Sequence, residues 1–233
     1  MPRKKSDVEI GQLRPPKINV KNIGLTEKQK ALVRLALTEE NKVIFISGPA
    51  GSTKTFMAVY SALKKLKQND ELDLLYVRTV IESAEKGLGA LPGDIGEKFN
   101  PYMAPLDDKL RELLPSTTGV VEDLKKKQRV AAMPINFLRG ANWINKIVVA
   151  DEAQNFTFKE LTTLMTRLGE SSQLFICGDY MQSDINGKSG FKQMFDLFDD
   201  AKSKENGIQC FSFGFDDIKR SKILSYIIKK INS

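Results

Sequence analysis

The stretch VIFISGPAGSTKT, residues 43–55, decides the predicted fold. Its last part, GPAGSTKT, follows the phosphate-loop pattern G-x-x-x-x-G-K-[ST] except at Thr53, which stands where the pattern has its second glycine. In that pattern, backbone N–H groups surround the phosphates, the lysine reaches their outer oxygens and the last hydroxyl binds Mg²⁺. The candidate nucleotide-binding residues are therefore Gly48, Pro49, Ala50, Gly51, Ser52, Thr53, Lys54 and Thr55.

Thr53 leaves two interpretations of this loop open. The glycine that it replaces often needs a positive φ or a close approach to phosphate, and a β-branched residue in that conformation is strained by about 1–3 kcal/mol. Gly51 would supply part of the missing flexibility. The loop is thus either an altered nucleotide site, or a decayed site or chance match, and the rest of the sequence must distinguish them.

The residues on both sides of the loop predict an α/β fold. VIFIS, residues 43–47, is a short apolar run typical of a buried parallel strand, and a helical pattern follows at 56–66. Similar apolar runs lie at 74–77, 146–150, 173–177 and 208–213, and helical patterns at 26–40, 159–168, 191–198 and 221–231. Apolar strands that alternate with amphipathic helices predict a parallel sheet covered by helices on both faces. The span 86–142 is less regular, as expected of an insertion that carries function.

An apolar strand that ends in two carboxylates forms a second motif. In IVVADEAQN, residues 147–155, Asp151 and Glu152 come directly after the apolar run. Asp151 would bind Mg²⁺ as Walker-B aspartates do, and Glu152 would polarise the attacking water as a general base. The alternative is a solvated acidic pair at the start of a helix, where acids also stabilise the helix dipole.

A third strand, QLFIC at 173–177, is followed by GDYMQ. Ligands of doubly wound sheets bind at the carboxyl ends of the strands, so Asp179 and Gln182 are expected beside the other two motifs. Gln182 would contact the γ-phosphate or orient water, whereas an ordinary turn after a strand is the alternative. Three strand ends with compatible chemistry favour a nucleotide site despite Thr53.

Composition and charge restrict the classes of function. The sequence has no histidine, which excludes histidine catalysis and histidine metal ligands, so oxygen ligands and Mg²⁺ are the expected metal chemistry. Two cysteines in 233 residues predict no disulfide framework and a reducing, cytoplasmic location. No apolar run reaches the roughly 18 residues of a membrane span. The net charge of +7 favours an anionic partner such as nucleic acid.

Residues 1–22 are predicted to form a basic arm outside the folded domain, which occupies residues 23–233. They include a basic run at 3–5 and the pair Pro15-Pro16, and they show no sustained periodicity. Contact with nucleic acid and plain disorder are both compatible with this composition.

Several of these motifs together resemble one family. DEAQN, with FLRG (137–140) before it and GDYMQSD (178–184) after it, is similar to the PhoH family of ATPases, and so is EKGLGALPGD (85–94). The resemblance extends from residue 26 to 224, and the sequence departs from the family's GPAGTGKT at Thr53. It implies one RecA-like P-loop NTPase domain, related to the first motor domain of superfamily-1 helicases, that binds ATP and Mg²⁺.

The resemblance also implies roles for residues outside the loop. Gln29 matches the glutamine that reads adenine upstream of helicase phosphate loops; an exposed polar residue of a helix is the alternative. Arg78, in YVRTV, and Arg139, in FLRG, are candidates for nucleic-acid contact. The arginine that a motor domain receives from a neighbour is expected to be Arg220, in DIKR, or Arg167, in TRLG.

The sequence therefore predicts a Mg²⁺-dependent, PhoH-like ATPase that acts on RNA or single-stranded DNA and assembles head to tail into a ring such as a hexamer. The predicted catalytic residues are Lys54, Glu152, Gln182, Arg220 and Arg167. One alternative is a module that binds nucleotide or nucleic acid but turns over little ATP because Thr53 alters the loop. Another is a metabolic kinase, which would need an acceptor-substrate motif that the sequence does not contain.

Overall fold

The computed structural model describes residues 18–79, 95–115, 119–135, 142–185 and 187–219, together with Ile223, Tyr226, Ile227 and Lys230. Within these residues the chain forms seven α-helices and six β-strands. The helices are α1 (Glu27–Leu37), α2 (Lys54–Gln68), α3 (Ile95–Leu113), α4 (Val120–Lys126), α5 (Phe158–Met165), α6 (Phe191–Phe198) and α7 (Ala201–Glu205). The strands are β1 (Val43–Ser47), β2 (Asp73–Arg78), β3 (Val130–Pro134), β4 (Lys146–Ala150), β5 (Gln173–Gly178) and β6 (Ile208–Ser212).

The six strands form one sheet in which every neighbouring pair is parallel, in the order β3-β2-β4-β5-β1-β6. The predicted parallel sheet is confirmed, and β1 and β4 have the bounds expected from the sequence. β5 lies between β1 and β4, so the chain leaves these three strands at adjacent positions on one edge. The three predicted motifs follow these same strands.

Helices cover both faces of the sheet because successive strand residues alternate between the faces. On one face, Ile44 and Ile46 belong to a buried cluster that includes residues of α1, α2, α3 and α4. On the other face, Val43 and Phe45 pack in a second cluster with residues of α5 and α6. Both faces are apolar, which explains why the strands appear in the sequence as continuous apolar runs. None of the helices in the described part of the chain combines the length and the apolar character that crossing a membrane requires.

Capping residues determine where the helices nearest the cavity begin. Thr26 and Gln29 form a reciprocal capping box at the start of α1. The helix ends at Leu37, earlier than predicted, because Thr38 already has an extended backbone (φ −69°, ψ 124°). α2 begins at Lys54, earlier than predicted, with Thr53 as its N-cap residue. The loop therefore leads directly into α2, whose first N–H groups lack intrahelical partners.

The span 86–142, predicted to be irregular, contains regular elements that pack on the sheet. α3 is a helix of 19 residues, and its leucines join the buried cluster around β2. β3 was not predicted, because VAAMP is an edge strand of mostly small residues that alternate between buried and half-buried positions. The motifs LPGD and FLRG, with Arg139, lie outside the described residues.

The chain before α1 packs on the domain from Ile18 onwards. Ile18 is buried, and Lys21 donates its backbone N–H and its ammonium to carbonyls at the end of α3 (2.8 and 2.9 Å). Residues of the stretch 18–22, which the sequence assigned to the arm, therefore pack on the domain, and the domain boundary stays a prediction. Residues 1–17 lie outside the described residues, so the basic arm stays a prediction. The predicted helix at 221–231 is described at four residues, all of them helical.

Candidate functional site

A cavity of about 830 Å³ lies at the edge of the sheet where the parallel strands end. Its walls come from the loop after β1, the residues after β4 and β5, the start of α1 with the chain before it, and α3. One residue from each predicted motif shows the convergence: Lys54, Asp151 and Asp179 all line this cavity. The structure thus brings the three motifs together, as expected from their places at the carboxyl ends of strands in one parallel sheet.

The loop after β1 is a compact turn that begins with a required glycine. Gly48 has a positive φ of 152°, a conformation that glycine adopts at little cost. A Cβ at this position would lie 2.8 Å from Ser52 Oγ and 2.9 Å from Phe213 Cβ, so no side chain fits. Ser52 Oγ donates a hydrogen bond to Pro49 O (2.8 Å) across the turn. The loop is therefore held in shape by its own groups.

Lys54 directs its cation back into this loop. Its ammonium donates to Gly48 O (2.7 Å) and to Pro49 O (2.9 Å). Burial lowers the pKa of Lys54. Three nearby carboxylates act against that decrease: Asp179 has the largest effect of the three, followed by Glu152 and Asp151. A dianionic or trianionic ligand in the cavity would add to the carboxylates' effect and favour the charged lysine.

Thr53 has the left-handed backbone that the phosphate-loop pattern normally assigns to glycine (φ 66°, ψ 15°). Its hydroxyl oxygen accepts a hydrogen bond from Gln29 Nε2 at 3.0 Å. Gln29 is almost fully buried, and its Oε1 accepts the backbone N–H of Thr26 at 3.0 Å. The altered loop position is thus connected to the cap of α1, and both Gln29 and Thr53 line the cavity.

Asp151 continues β4 on the face that carries Lys54, and both of its carboxylate oxygens accept hydrogen bonds. The Thr55 hydroxyl donates to Oδ1 and the Tyr76 hydroxyl donates to Oδ2. Burial, with the charge and the hydrogen bond of Asp151, raises the pKa of Tyr76 well above its ordinary value of 10.0. Tyr76 therefore remains a donor. A hydroxyl beside a carboxylate is the hard oxygen pair that Mg²⁺ prefers, so the donor set fits that ion.

Glu152 is held by two partners at the rim of the cavity. Its Oε2 accepts from Gln154 Nε2 (2.6 Å), and its Oε1 lies 3.5 Å from Arg78 Nη2. Gln154 is buried and also accepts the backbone N–H of Asp179 (3.0 Å), which connects the second motif to the third. Glu152 itself has a left-handed backbone (φ 54°, ψ 43°), so its side chain leaves β4 in a direction that a regular strand would not give.

The residues after β5 form the third wall of the site. Asp179 is buried, and its Oδ1 accepts the N–H of Met181 (3.0 Å). Gln182 lines the cavity with an exposed side chain. Asn155 and Asp184 exchange two hydrogen bonds, of 3.0 and 2.9 Å, which attach this loop to the end of DEAQN.

Comparison with known proteins identifies the relatives of this fold and site. A family model described as "PhoH-like protein" matches residues 22–232. The chain belongs to the PhoH-like protein family. It is 36% identical over 156 residues to a PhoH-like protein of Synechocystis sp., covering 66% of this chain and 47% of the relative. It is 32% identical over 212 residues to a PhoH-like protein of Bacillus subtilis, covering 91% of this chain and 63% of the relative.

This PhoH-like chain spans about half to two-thirds of the length of these two relatives. Among solved structures, it resembles Bacteroides sp. Pif1 in complex with ADP-AlF4. That match has a TM-score of 0.40 and 17% sequence identity, and it covers 91% of this chain and 46% of the Pif1 chain.

Arg167, a predicted site residue of this PhoH-like chain, does not reach the cavity. Arg167 lies before β5, at the opposite edge of the sheet, where its carbonyl accepts the N–H of Trp143 (3.0 Å). Trp143 is buried in the core. Arg139 and Arg220 lie outside the described residues.

Sequence reasoning missed three residues at the site. Tyr76 is part of an apolar strand and gives no signal of its polar partner. Gln154 is a member of DEAQN whose contact with Glu152 depends on the backbone turn after β4. Lys219 lines the cavity, and its N–H donates to Gly51 O (3.1 Å). Its place next to Arg220, in DIKR, was the available signal for it.

Proposed function

We propose that this chain binds ATP with Mg²⁺ and hydrolyses it, and that turnover is coupled to RNA or single-stranded DNA. The observation that carries the proposal is one cavity at the ends of three adjacent strands, lined by a half-buried lysine, a hydroxyl and two carboxylates. These groups are Lys54, Thr55, Asp151 and Glu152. A helix N-terminus and a lysine favour phosphate groups, while adjacent carboxylates suit a metal ion and a polarised water.

Lys54 and Thr55 of the loop, together with Asp151, bind the phosphates and the metal ion in this proposal. Lys54 offsets the charge of the outer phosphates, and the N–H groups at the start of α2 donate to phosphate oxygens. Thr55 and Asp151 hold Mg²⁺, which supplies charge neutralisation at the phosphate oxygens when it is bound. Tyr76 donates to one oxygen of Asp151, and the other oxygen, which accepts from the Thr55 hydroxyl, is the one beside the second proposed Mg²⁺ ligand.

Glu152 is the proposed general base of the hydrolysis. Its carboxylate accepts a proton from the attacking water, and Gln154 fixes its direction through the 2.6 Å hydrogen bond. Gln182, which lines the cavity with an exposed side chain, would contact the terminal phosphate or orient the water. The hydrogen bond from the N–H of Asp179 to Gln154 holds the residues after β4, with Glu152, against the residues after β5, with Gln182.

Nucleotide binding and ATP hydrolysis are measured separately to test this proposal. The alternative is a module that binds nucleotide without hydrolysing it, which the strained backbone of Thr53 favours. The wild type should bind ADP and should release phosphate from ATP only with Mg²⁺. Lys54→Ala should lose both, because the phosphate charge then has no cation, whereas Lys67→Ala, on the exposed side of the same helix, should keep both. Binding without phosphate release, with and without nucleic acid, would favour the module; absence of binding would contradict both functions.

Coupling to nucleic acid is proposed from the net charge of +7 and from the contact between Arg78 and Glu152. Glu152 lines the cavity and Arg78 does not. A phosphate of a single strand could therefore take over Arg78 without entering the nucleotide site. Once Arg78 binds that phosphate instead of Glu152, the Glu152 carboxylate would be free to accept a proton.

Phosphate release with and without RNA or single-stranded DNA tests this coupling. The wild-type rate should rise with nucleic acid, whereas Arg78→Gln should have a rate that no longer responds to it. Arg34→Gln removes an exposed arginine of α1 and should respond like the wild type. Equal stimulation of wild type and Arg78→Gln would contradict a role of Arg78 in coupling.

We further propose that the nucleotide site is completed by a neighbouring subunit in a head-to-tail ring such as a hexamer. A single motor domain needs an arginine from elsewhere to stabilise the transition state. Arg220 is the first candidate and Arg167 the second; Arg167 lies at the edge of the sheet opposite its own cavity, so it could only serve another subunit's site. The cysteines Cys177 and Cys210 are free, which fits the cytoplasm, where we place the protein.

A further inference from the structure

The hydroxyl of Thr53 is held so that its hydrogen is available to a ligand. A hydroxyl has one hydrogen to donate and two lone pairs that accept. The Thr53 oxygen accepts from Gln29 Nε2 (3.0 Å), so its hydrogen cannot point toward that nitrogen. In the described part of the chain, no carbonyl or side chain accepts this hydrogen, and Thr53 lines the cavity.

The side chain of Gln29 is held in the orientation in which its Nε2 donates to the Thr53 oxygen. The Oε1 atom of Gln29 accepts the backbone N–H of Thr26, and the backbone N–H of Gln29 donates to the Thr26 hydroxyl. The side chain is therefore part of the cap of α1. The side chain is buried, and its amide points to the loop. Turning the amide toward a base would exchange its two ends and would break both the cap and the contact with Thr53.

We propose that Thr53 is a phosphate-binding residue whose hydroxyl donates to a phosphate oxygen of the nucleotide, and that Gln29 is a positioning residue for this hydroxyl. This inference rests on the proposed nucleotide binding. The threonine replaces a flexible glycine by a side-chain donor in a left-handed backbone. Because the donor is directed at phosphate, the Gln29–Thr53 pair serves nucleotides and base-free oligophosphates alike, and contributes no preference for adenine.

Binding of ADP and of inorganic pyrophosphate to the full chain, measured by calorimetry, tests the assignment of Thr53. Thr53→Ala keeps a side chain at the left-handed position but removes the hydroxyl, and it should weaken both ligands about 10- to 100-fold, as expected for a hydrogen bond to a charged group. Thr53→Ser keeps the hydroxyl and should stay within about threefold of the wild type. Equal or tighter binding by Thr53→Ala would overturn the proposal.

The role of Gln29 is tested by the same two ligands. Gln29→Ala should weaken pyrophosphate and ADP by the same factor, and it should have no further effect in the Thr53→Ala background, because it acts through that hydroxyl. A loss confined to ADP would show that Gln29 reads the base and would overturn the proposal.

Two controls keep these outcomes distinct. Thermal melting checks that each variant is folded; if Gln29→Ala loses the cap of α1 and unfolds, the Thr53 pair of variants decides alone, since neither alters that cap. A wild-type chain that binds neither ligand would contradict the proposed function and this inference together. Wild-type binding that does not depend on the hydroxyl would contradict the inference alone.

Discussion

Tyr76→Phe removes one hydroxyl from the buried centre of the sheet and leaves an oxygen of Asp151 without its donor. The ring stays, and Tyr76 has no exposed surface, so the buried apolar area is unchanged. What is lost is a hydrogen bond to a charged acceptor, which contributes about 1.5–3 kcal/mol. For a chain of this length, each kcal/mol lowers Tm by about 2–4 °C, so a decrease of about 3–12 °C is expected.

Urea unfolding of the nucleotide-free protein, followed by circular dichroism, measures this loss as a decrease in the free energy of unfolding at an unchanged m-value. Tyr60→Phe is the matched control: Tyr60 is also buried, but in the described residues its hydroxyl makes no hydrogen bond, so the change should stay within about 0.5 kcal/mol. In the Asp151→Asn background the acceptor is neutral, and Tyr76→Phe should cost about half as much. If Tyr76→Phe is as stable as Tyr60→Phe, the contact with Asp151 does not contribute as argued.

Three further predictions address the proposed partners and the state of the loop lysine. Nucleic-acid affinity should fall with salt, with a slope of about −0.7 per phosphate contact of a single strand, and affinity that ignores ionic strength would contradict phosphate contacts. Mixing inactive Lys54→Ala with inactive Arg220→Ala protein should partly restore ATP hydrolysis in mixed rings; no rescue despite subunit exchange would count against Arg220. Because burial lowers the pKa of Lys54, which must be charged to hold phosphate, ADP affinity should decline as the pH rises toward 10.5, the ordinary lysine value, and a constant affinity over that range would contradict this.

The parts of the fold that the sequence predicted are those set by local pattern. β1 and β4 were predicted at their observed bounds because a fully buried strand must be apolar at every position. β3 could not be predicted in the same way, because small, half-buried residues at an edge produce no such run. The end of α1 was placed too late because helical periodicity continues beyond Leu37, whereas the extended backbone of Thr38 ends the helix.

The site was predictable as a set of strand ends but not as a set of contacts. The expected positive φ at the position of Thr53 is present, since it follows from the loop pattern itself. The hydrogen bond between Tyr76 and Asp151 joins residues 75 positions apart and depends on β2 lying next to β4. Strand order follows from how the whole chain packs, which no local pattern contains. For the same reason, the hydrogen bond from the Gln29 amide to Thr53 could not be predicted from the sequence.

Glu152→Gln tests the central claim, ATP hydrolysis at this cavity, most directly. Glutamine has nearly the same shape and can still accept from Gln154, so the site should keep its geometry while losing the group that takes the proton. Binding of ATP with Mg²⁺ should therefore remain near the wild-type value, and phosphate release should fall roughly 10²- to 10⁴-fold, the usual contribution of a general base. Equal phosphate release by the wild type and Glu152→Gln would contradict the account.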